Sequence, residues 1–279
     1  MITAPPKKFI KNPLFISFTS IKDFLKCPNS YYLKNIYRDP KTGNRIQIAS
    51  SYLSLGSTVH DATKWFLQMQ GQVTKVQLED KFRNLWLKYR GKNGGFESTE
   101  QEGDFGRRGL KMLENFFNNA KVLEPSAPDI SFPKMSLFED VILMGNFDFV
   151  GEVDDGSLHV VDFKTGAKDE QDSLQLYIYA ILAEANFGKS VSAASFWYLD
   201  REDVPRQIVL DELEPKLLWI TEKAKQLKEV KEKGQWICIR GAKCNDCNSY
   251  QAIIDGKGQF QFTDDRYHKD VYYLNTRVI

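Results

Sequence analysis

The hairpin segment Gly145–Gly166 organises the chain and reads Gly-Asn-Phe-Asp-Phe-Val-Gly-Glu-Val-Asp-Asp-Gly-Ser-Leu-His-Val-Val-Asp-Phe-Lys-Thr-Gly. An alternating apolar run leads into a polar Asp-Asp-Gly-Ser turn, and a second apolar run follows it. This pattern predicts a β-hairpin. Because side chains alternate between the two faces of a strand, Asp162 and Lys164 lie on one face and Phe163 lies on the other.

Asp148 joins these two charged residues if the strands pair across the turn. Carboxylate oxygens are the ligands that magnesium and manganese prefer, and a nearby lysine can orient or help deprotonate a water, or balance charge on a phosphate. The group therefore outlines a site that cleaves phosphodiester bonds. A surface hairpin with ordinary solvated charges is the alternative that this short motif leaves open.

The composition is typical of a soluble globular protein, with 279 residues of which 42% are hydrophobic and 27% charged. This length suits one large domain or two modest ones. The 38 Lys and Arg residues balance 37 Asp and Glu residues, so any nucleic-acid groove must be a local patch. No apolar run approaches the roughly 18 residues of a membrane span, and the first residues lack the apolar core of a signal peptide. We expect an intracellular, cytoplasmic protein.

Four cysteines form a second candidate site. Cys238, Cys244 and Cys247 lie close together near the C-terminal end, and Cys27 lies more than 200 positions upstream. In a reducing compartment such a set indicates a metal or iron–sulfur site before it indicates disulfides, and four thiols complete one tetrahedral set. Free buried thiols are the alternative.

The chain divides into four predicted segments, which are 1–53 (helical, with the first cysteine), 54–132 (helical, with His60), 133–234 (the core of strands and helices) and 235–279 (the cysteine cluster and tail). Pro28 interrupts a helical pattern, so we expect a helix break at Cys27. Apolar residues at three-to-four spacing predict a helix over about 54–69, with His60 near its start. The aromatic and polar tail has no assigned role.

Two predicted elements flank the hairpin. Residues 136–144 are predicted as one strand that carries Glu139. The segment Ser173–Ala185 has the apolar stripe of a helix, on which Gln175 and Tyr179 share one face at i and i+4. Helices therefore fill the first half of the chain, and strands begin at its centre.

Taken in this order, the motifs resemble those of the PD-(D/E)XK nuclease superfamily, specifically its RecB-like branch, which includes the iron–sulfur exonucleases associated with CRISPR systems. The resemblance covers about residues 17–247. It is carried by Ser17-Phe18-Thr19-Ser20 leading to Cys27-Pro28 and Tyr31-Tyr32, by Gly56 through His60, by Gly145-Asn146-Phe147-Asp148, by Val161-Asp162-Phe163-Lys164-Thr165-Gly166, by Gln175-x-x-x-Tyr179 and by the terminal cysteines.

The resemblance implies an α/β (α+β) protein with a restriction-endonuclease-like core. A central mixed sheet flanked by helices would be joined by a helical N-terminal part and a C-terminal cysteine metal-binding region. It also implies Mg²⁺ or Mn²⁺ as cofactor, held by His60, Asp148, Asp162 and the carbonyl oxygen of Phe163. An imidazole suits manganese somewhat better than magnesium because it is the softer ligand.

As catalytic residues the resemblance implies Asp148, Asp162, Lys164, Gln175 and Tyr179. Lys164 would position or activate the attacking water. Gln175 and Tyr179 would line the site from the following helix, contacting DNA or ordering Lys164, although Tyr179 could equally be a core aromatic residue. Glu139 would be an outer member of the site, with a solvated surface acid as its alternative.

The cysteines depart from the pattern of the iron–sulfur relatives. In those proteins a Cys-x-x-Cys pair is followed by a third cysteine. Here no further cysteine follows Cys244 and Cys247, and Cys238 precedes them. If Cys238 replaces the missing ligand, then Cys27, Cys238, Cys244 and Cys247 would hold a [4Fe-4S] cluster. Zn²⁺ accepts the same four thiolates and is the alternative. Either metal would join the N-terminal helix to the C-terminal region.

The resemblance implies a metal-dependent DNA nuclease, expected to act as an exonuclease on single strands or duplex ends. Its partners would be DNA and proteins of recombination or CRISPR adaptation, with DNA repair as a further setting. A non-cleaving DNA-binding or recombination-assembly subunit with the same fold is the alternative. The set His60, Asp148, Asp162 and Lys164 argues against it, because a protein without catalysis has no physical reason to hold metal ligands together. A structural metalloprotein with an unrelated substrate is a third interpretation.

Overall fold

The computed structural model describes residues 13–70, 72–123, 125–241 and 244–275. The first twelve residues of the predicted N-terminal segment and the last four of the predicted tail lie outside these ranges. Within them the protein has the mixed α/β architecture that the sequence predicts. No helix in these ranges is long and apolar enough to cross a membrane.

Helices and strands cover most of the described chain. The α-helices are α1 Phe18–Lys26, α2 Pro28–Tyr31, α3 Ser51–Gln68, α4 Lys75–Trp86, α5 Thr99–Asn119, α6 Leu174–Phe187, α7 Leu213–Lys233 and α8 Asn245–Ile254. The strands are β1 Leu14–Ile16, β2 Arg45–Ile48, β3 Lys134–Phe138, β4 Val141–Met144, β5 Phe149–Glu152, β6 Leu158–Lys164, β7 Val191–Tyr198, β8 Arg206–Ile208, β9 Gln259–Asp264 and β10 Lys269–Tyr273. A π-helix covers Tyr32–Ile36, and 3₁₀ turns cover Leu87–Tyr89, Gly91–Gly94 and Ala120–Val122.

The chain forms two compact units. The first contains residues up to Lys22 together with Asn115–Lys233, and the second contains Asp23–Glu114 together with residues from Gly234 onward. The predicted core 133–234 therefore falls almost entirely in the first unit. All four cysteines belong to the second unit.

A four-stranded sheet in the order β5-β6-β7-β8 forms the centre of the first unit. The predicted hairpin is present: β5 and β6 pair antiparallel, with Phe149 opposite Val161 and Glu152 opposite Leu158. Strands β6 and β7 pair parallel, and α6 connects them as a crossover helix. The outer strand β8 pairs antiparallel with β7.

Helix α6 is buried around its whole circumference from Leu176 to Ala183. A helix that is buried on all sides is a core helix, whereas the sequence predicted a helix with a single apolar stripe. On the sheet, Phe163 of β6 packs against Phe116 and Trp197. The strand that carries the Asp-x-Lys motif is therefore held by close packing.

The prediction of one strand over residues 136–144 is wrong. The structure has two strands, β3 and β4, which pair antiparallel with each other. The polar pair Glu139-Asp140 forms the turn between them, and Glu139 adopts a φ of +41° that extended strands do not use. Strand β1 pairs parallel with β4 and completes this sheet.

The second unit contains a three-stranded sheet in the order β2-β10-β9. Two predictions change in this unit. Helix α3 begins at Ser51, so His60 lies in its middle and not near its start. The tail without an assigned role forms β9 and β10, and β10 pairs parallel with β2. Local sequence cannot reveal this pairing, because the two strands lie more than 200 residues apart.

The predicted helix break at Cys27 is confirmed. Helix α1 ends at Lys26, and α2 begins at Pro28. Proline is favoured at the first helical position because its missing N–H would have no helical partner there. Cys27 therefore lies in extended backbone between two helices.

Candidate active site and cysteine centre

Strand β6 places Asp162 and Lys164 on one face of the central sheet. In the register with β7, Asp162 lies opposite Phe196 and Lys164 lies opposite Tyr198. Only 2% of Asp162 is exposed, and its Oδ2 lies 3.0 Å from Lys164 Nζ. A carboxylate this buried remains charged only beside a cation or hydrogen-bond donors, and Lys164 supplies the cation.

Asp148 lies directly before β5, next to the end of β6. Its Oδ2 accepts a hydrogen bond of 2.9 Å from the backbone N–H of Phe163. This bond joins the loop before β5 to the middle of the Asp-x-Lys motif. The structure thus brings Asp148, Asp162 and Lys164 to one end of the hairpin.

Lys164 has three oxygen partners. Its Nζ donates to Gln175 Oε1 at 2.7 Å and lies 3.4 Å from Glu170 Oε1, in addition to its contact with Asp162. Burial alone would lower the pKa of Lys164, but the negative charges of Asp162 and Glu170 outweigh it and raise this pKa above its ordinary value. In this arrangement the lysine is an ammonium cation and not a base at neutral pH.

Gln175 bridges the two charged groups from the first turn of α6. While its Oε1 accepts from Lys164, its Nε2 donates to Asp162 Oδ1 at 2.6 Å and to the Tyr179 hydroxyl at 3.1 Å. One amide therefore satisfies an anion and a cation at once. This geometry fixes the rotamers of both side chains of the motif.

Tyr179 lies one helical turn after Gln175 and closes the network on its buried side. Burial, followed by the charges of Asp162 and Asp148, raises the pKa of Tyr179 well above its ordinary range. The phenol therefore stays neutral and adds no further negative charge. A Cβ on Gly145 would lie 2.9 Å from Leu182 and 3.4 Å from Tyr179, so a glycine permits this close approach of the loop to α6.

Glu170 is a member of the network that the sequence analysis did not identify. Its carboxylate faces Lys164, and its backbone N–H donates to the Tyr198 hydroxyl at 2.8 Å. The signal in the sequence was the acidic run 169–172, which follows the motif within ten residues. The negative charge of this loop, so close to a proposed metal site, was a reason to include its acids among the candidate site residues.

Two other predicted residues lie on separate elements. His60 is half-buried on α3 in the second unit, and its role as a metal ligand stays a prediction. Glu139 is largely exposed at the β3–β4 turn, where its carboxylate pairs with Lys228 of α7. This surface ion pair accounts for the charge of Glu139 without a role in the site.

The donor set at the hairpin fits a hard divalent cation. The carboxylates of Asp148 and Asp162 and the backbone carbonyl of Phe163 are oxygen ligands of the type that Mg²⁺ and Mn²⁺ prefer. Because Asp148 and Asp162 are held by hydrogen bonds to the motif, the oxygens are positioned before any ion binds. Their roles as ligands stay predictions.

The four cysteines come together in the second unit. Cys27 lies between α1 and α2, Cys238 lies in the loop after α7, Cys244 caps α8 and Cys247 lies in its first turn. All four sulfur atoms lie within 4.8 Å of one another. The Sγ of Cys247 lies 3.7 Å from that of Cys27 and 3.4 Å from that of Cys244.

Two aromatic side chains, Tyr32 and Tyr250, pack against this cysteine cluster. The rings of Tyr31 and Tyr32 pack on Trp236, with centroids 5.7 and 5.5 Å apart. Burial raises the pKa of Cys27, but hydrogen bonds, the largest from the backbone of Ser30, outweigh it and lower this pKa to about 7. At neutral pH the cluster therefore provides a thiolate, which is the form that binds metals.

The spacing of the sulfur atoms fits one four-coordinate ion. A tetrahedral Zn²⁺ with Zn–S bonds of about 2.3 Å places its sulfur ligands about 3.8 Å apart. The distances of 3.7 and 3.4 Å from Cys247 to Cys27 and Cys244 lie close to that value. In a [4Fe-4S] cluster each thiolate binds a different iron at the corner of a cube, which spreads the sulfurs farther apart.

Comparison with known proteins identifies a family for most of the chain. A family model described as the PD-(D/E)XK nuclease superfamily matches residues 16–252. This range includes the hairpin, α6 and all four cysteines. No curated protein matches the chain.

Proposed function

The chain belongs to the PD-(D/E)XK nuclease superfamily, and from this membership we propose that it is a Mg²⁺- or Mn²⁺-dependent deoxyribonuclease. One observation carries the proposal: Asp162 and Lys164 share a buried face of β6, and Asp148 is hydrogen-bonded to the residue between them. Carboxylates and a cation held this close form an arrangement suited to binding a metal ion beside a phosphodiester.

The residues of the site would divide the work as follows. Asp148, Asp162 and the Phe163 carbonyl, with His60 as a further ligand, would hold the divalent ion, which when bound polarises the phosphate and lowers the pKa of water. Lys164, kept as an ammonium by its acidic neighbours, would balance negative charge on the phosphate oxygens. Gln175 would hold Lys164 and Asp162 in register during the reaction.

Two substitutions test the nuclease proposal. We expect Asp162→Asn and Lys164→Ala each to lower the cleavage rate of labelled single-stranded and duplex DNA by at least about 100-fold, the size of effect seen when one transition-state contact is removed. Circular dichroism should show unchanged folding. Asp154→Asn and Lys121→Ala, which alter exposed charges of the same unit, serve as matched controls.

Cleavage by both variants at the wild-type rate would contradict the nuclease proposal. Binding of DNA by wild-type protein without any cleavage in Mg²⁺ or Mn²⁺ would instead support the non-cleaving DNA-binding subunit. The assay therefore separates the two functions that share this fold.

We further propose an exonuclease that acts on single strands or duplex ends. The resemblance to RecB-like exonucleases supports this choice, and it also supports a cytoplasmic role in DNA repair, recombination or CRISPR adaptation, with proteins of those processes as partners. A linear and a circular single strand of the same sequence provide the test. An exonuclease degrades the linear strand and leaves the circle intact, whereas loss of both would identify an endonuclease.

We propose that the four cysteines hold a metal centre. The resemblance favours a [4Fe-4S] cluster, whereas the sulfur spacing favours a single Zn²⁺, and we give the spacing more weight because it belongs to this chain. Anaerobically purified protein should then contain one zinc per chain and no absorption in the visible range. Iron and sulfide with a broad visible band would contradict zinc and support the cluster.

A further inference from the structure

One face of the β2-β10-β9 sheet in the second unit is rich in cations. Residues directly opposite one another in paired strands project to the same face. In the observed register Lys269 of β10 lies opposite Arg45 of β2 and also opposite Asp264 of β9. The Nζ of Lys269 donates to Gln47 Oε1 at 2.9 Å, which places Gln47 on the same face.

Two further lysines reach this face from the turns after α4. Lys88 pairs with Asp264 at 2.8 Å and lies 5.4 Å from the centroid of the Phe262 ring. Lys92 lies 5.2 Å from the centroid of the Tyr273 ring. We call the surface formed by Arg45, Lys88, Lys92 and Lys269 the basic face.

The four cations of the basic face outnumber the carboxylates that form ion pairs with them. Within the described part of the chain, Lys88 is the member of the four with a carboxylate in ion-pair distance. Like charges directly opposite one another in a sheet are destabilising. In agreement, burial and then the charge of Arg45 lower the pKa of Lys269. Arg45 and Lys269 therefore hold two like charges at one register position, an arrangement that an anionic ligand would stabilise.

The turns that present the two lysines are anchored. Gly95 has a φ of +81°, and a Cβ there would lie 2.6 Å from the backbone nitrogen of Ser50, so the turn packs directly on the start of α3. The hydroxyl of Ser54 also donates to the Gly94 carbonyl at 3.1 Å. The lysine side chains therefore extend from a fixed backbone.

The opposite face of the sheet belongs to the core. Ile46, Ile48 and Tyr272 pack there with Ala252 and Ile253 of α8. A ligand can reach this sheet from the basic face alone, as far as the described residues show. The charge of Asp61, the residue after His60 on α3, also acts on Lys88, so the helix with the predicted metal ligand borders this surface.

We infer that the basic face binds the phosphate backbone of DNA, an inference that rests on the proposed nuclease function. Phosphates complement the excess of cations on this face. No base is read there, because the contacts are charges and not base edges.

The salt dependence of binding tests the inference. The double variant Lys92→Gln/Lys269→Gln is compared with wild type for binding of a labelled 30-nucleotide single strand in Ca²⁺, by fluorescence anisotropy across a salt series. We expect a Kd raised about tenfold and a log–log salt slope reduced by about 1.4, since each lost phosphate contact accounts for about 0.7 on a single strand.

The melting temperature of the double variant distinguishes a DNA-binding role of Lys92 and Lys269 from a structural one. Glutamine keeps a hydrogen-bond donor at both positions, toward Gln259 and Gln47, and removes the repulsion between Lys269 and Arg45. The double variant should therefore not melt at a lower temperature than wild type, although it binds DNA more weakly. The control Lys111→Gln removes one exposed charge from α5 of the same unit and should change neither quantity. Weaker binding that accompanies a lower melting temperature in the double variant would overturn the inference.

Hydrolysis of a small phosphodiester distinguishes this inference from the proposed function. Bis-p-nitrophenyl phosphate has a single phosphodiester and no extended backbone, so the double variant, which leaves the side chains at the end of β6 unchanged, should hydrolyse it at the wild-type rate. An unchanged salt slope in the double variant would overturn the basic face and leave the nuclease proposal standing. A wild-type protein that hydrolyses neither this compound nor DNA would contradict the nuclease proposal. The salt slope of DNA binding would still show whether the basic face binds DNA.

Discussion

The end of β6 and the cysteine cluster are both candidate metal sites, but they are held together in different ways. At the end of β6, Asp162 and Lys164 belong to an inner strand that pairs with β5 and β7. Gln175 belongs to α6, which is buried on all sides from Leu176 to Ala183. The cysteines come from a helix break, a loop and the start of one helix. Cys27 lies more than 200 positions before the other three.

This difference separates chemistry from stability. Regular backbone hydrogen bonds and packing hold the first site, so a changed side chain there alters the reaction more than the fold. In the cysteine cluster the metal itself would join the helix break, the loop and the start of α8, so its loss alters the fold.

The largest effect is expected from Cys27→Ala. Loss of this ligand opens the connection between the N-terminal helices and the C-terminal region, and we expect the free energy of unfolding to fall by at least about 4 kcal/mol, the loop-closure value for a crosslink over 100 or more residues. Hydrogen exchange should rise in 27–36 and 244–254, while β6 stays protected. Equal exchange in all three segments would contradict the contrast.

Ser30→Ala is the matched control for that substitution. The Ser30 hydroxyl is buried beside Cys27 and has no hydrogen-bond partner among the described residues. Its removal should leave stability unchanged or slightly higher, because a buried hydroxyl without a partner costs free energy. A loss as large as that of Cys27→Ala would show that packing, and not metal binding, holds this cluster.

An intermediate effect is expected from Gln175→Leu. The substitution keeps the volume but removes the bridge between Lys164 and Asp162, so both charged groups lose their fixed positions. We expect kcat for DNA cleavage to fall about 10- to 100-fold, within the range of a positioning contact. Tyr179→Phe keeps the ring contact with Phe147 and removes only a hydroxyl, so it should cost less. The reverse order of the two variants would exclude Gln175 as the bridge.

The smallest effect is expected from Glu170→Gln. Glu170 lies 3.4 Å from Lys164 and its side chain is 30% exposed, so solvent screens the interaction. We expect kcat to fall about threefold, equivalent to about 0.6 kcal/mol, with KM unchanged. Asp154→Asn removes the same charge from the hairpin turn and should have no effect. A larger loss than that of Gln175→Leu would make Glu170 a direct participant in the reaction.

The features that follow from neighbouring residues were predictable. Alternation along β6 placed Asp162 and Lys164 on one face, because successive side chains of a strand point in opposite directions. Pro28 predicted the helix break, since proline cannot continue a helix. The single strand predicted over 136–144 failed because two polar residues in an apolar run were not recognised as a turn.

Contacts between distant segments required the folded chain. The hydrogen bond from Phe163 to Asp148, the approach of Glu170 to Lys164 and the pairing of β10 with β2 all depend on how elements pack. Their positions are set by long-range hydrogen bonds and burial, which no local pattern encodes. Side-chain chemistry along the chain specified which groups could bind a metal or a phosphate. Folding specified which of those groups meet, because distances between them are fixed by packing and not by sequence separation.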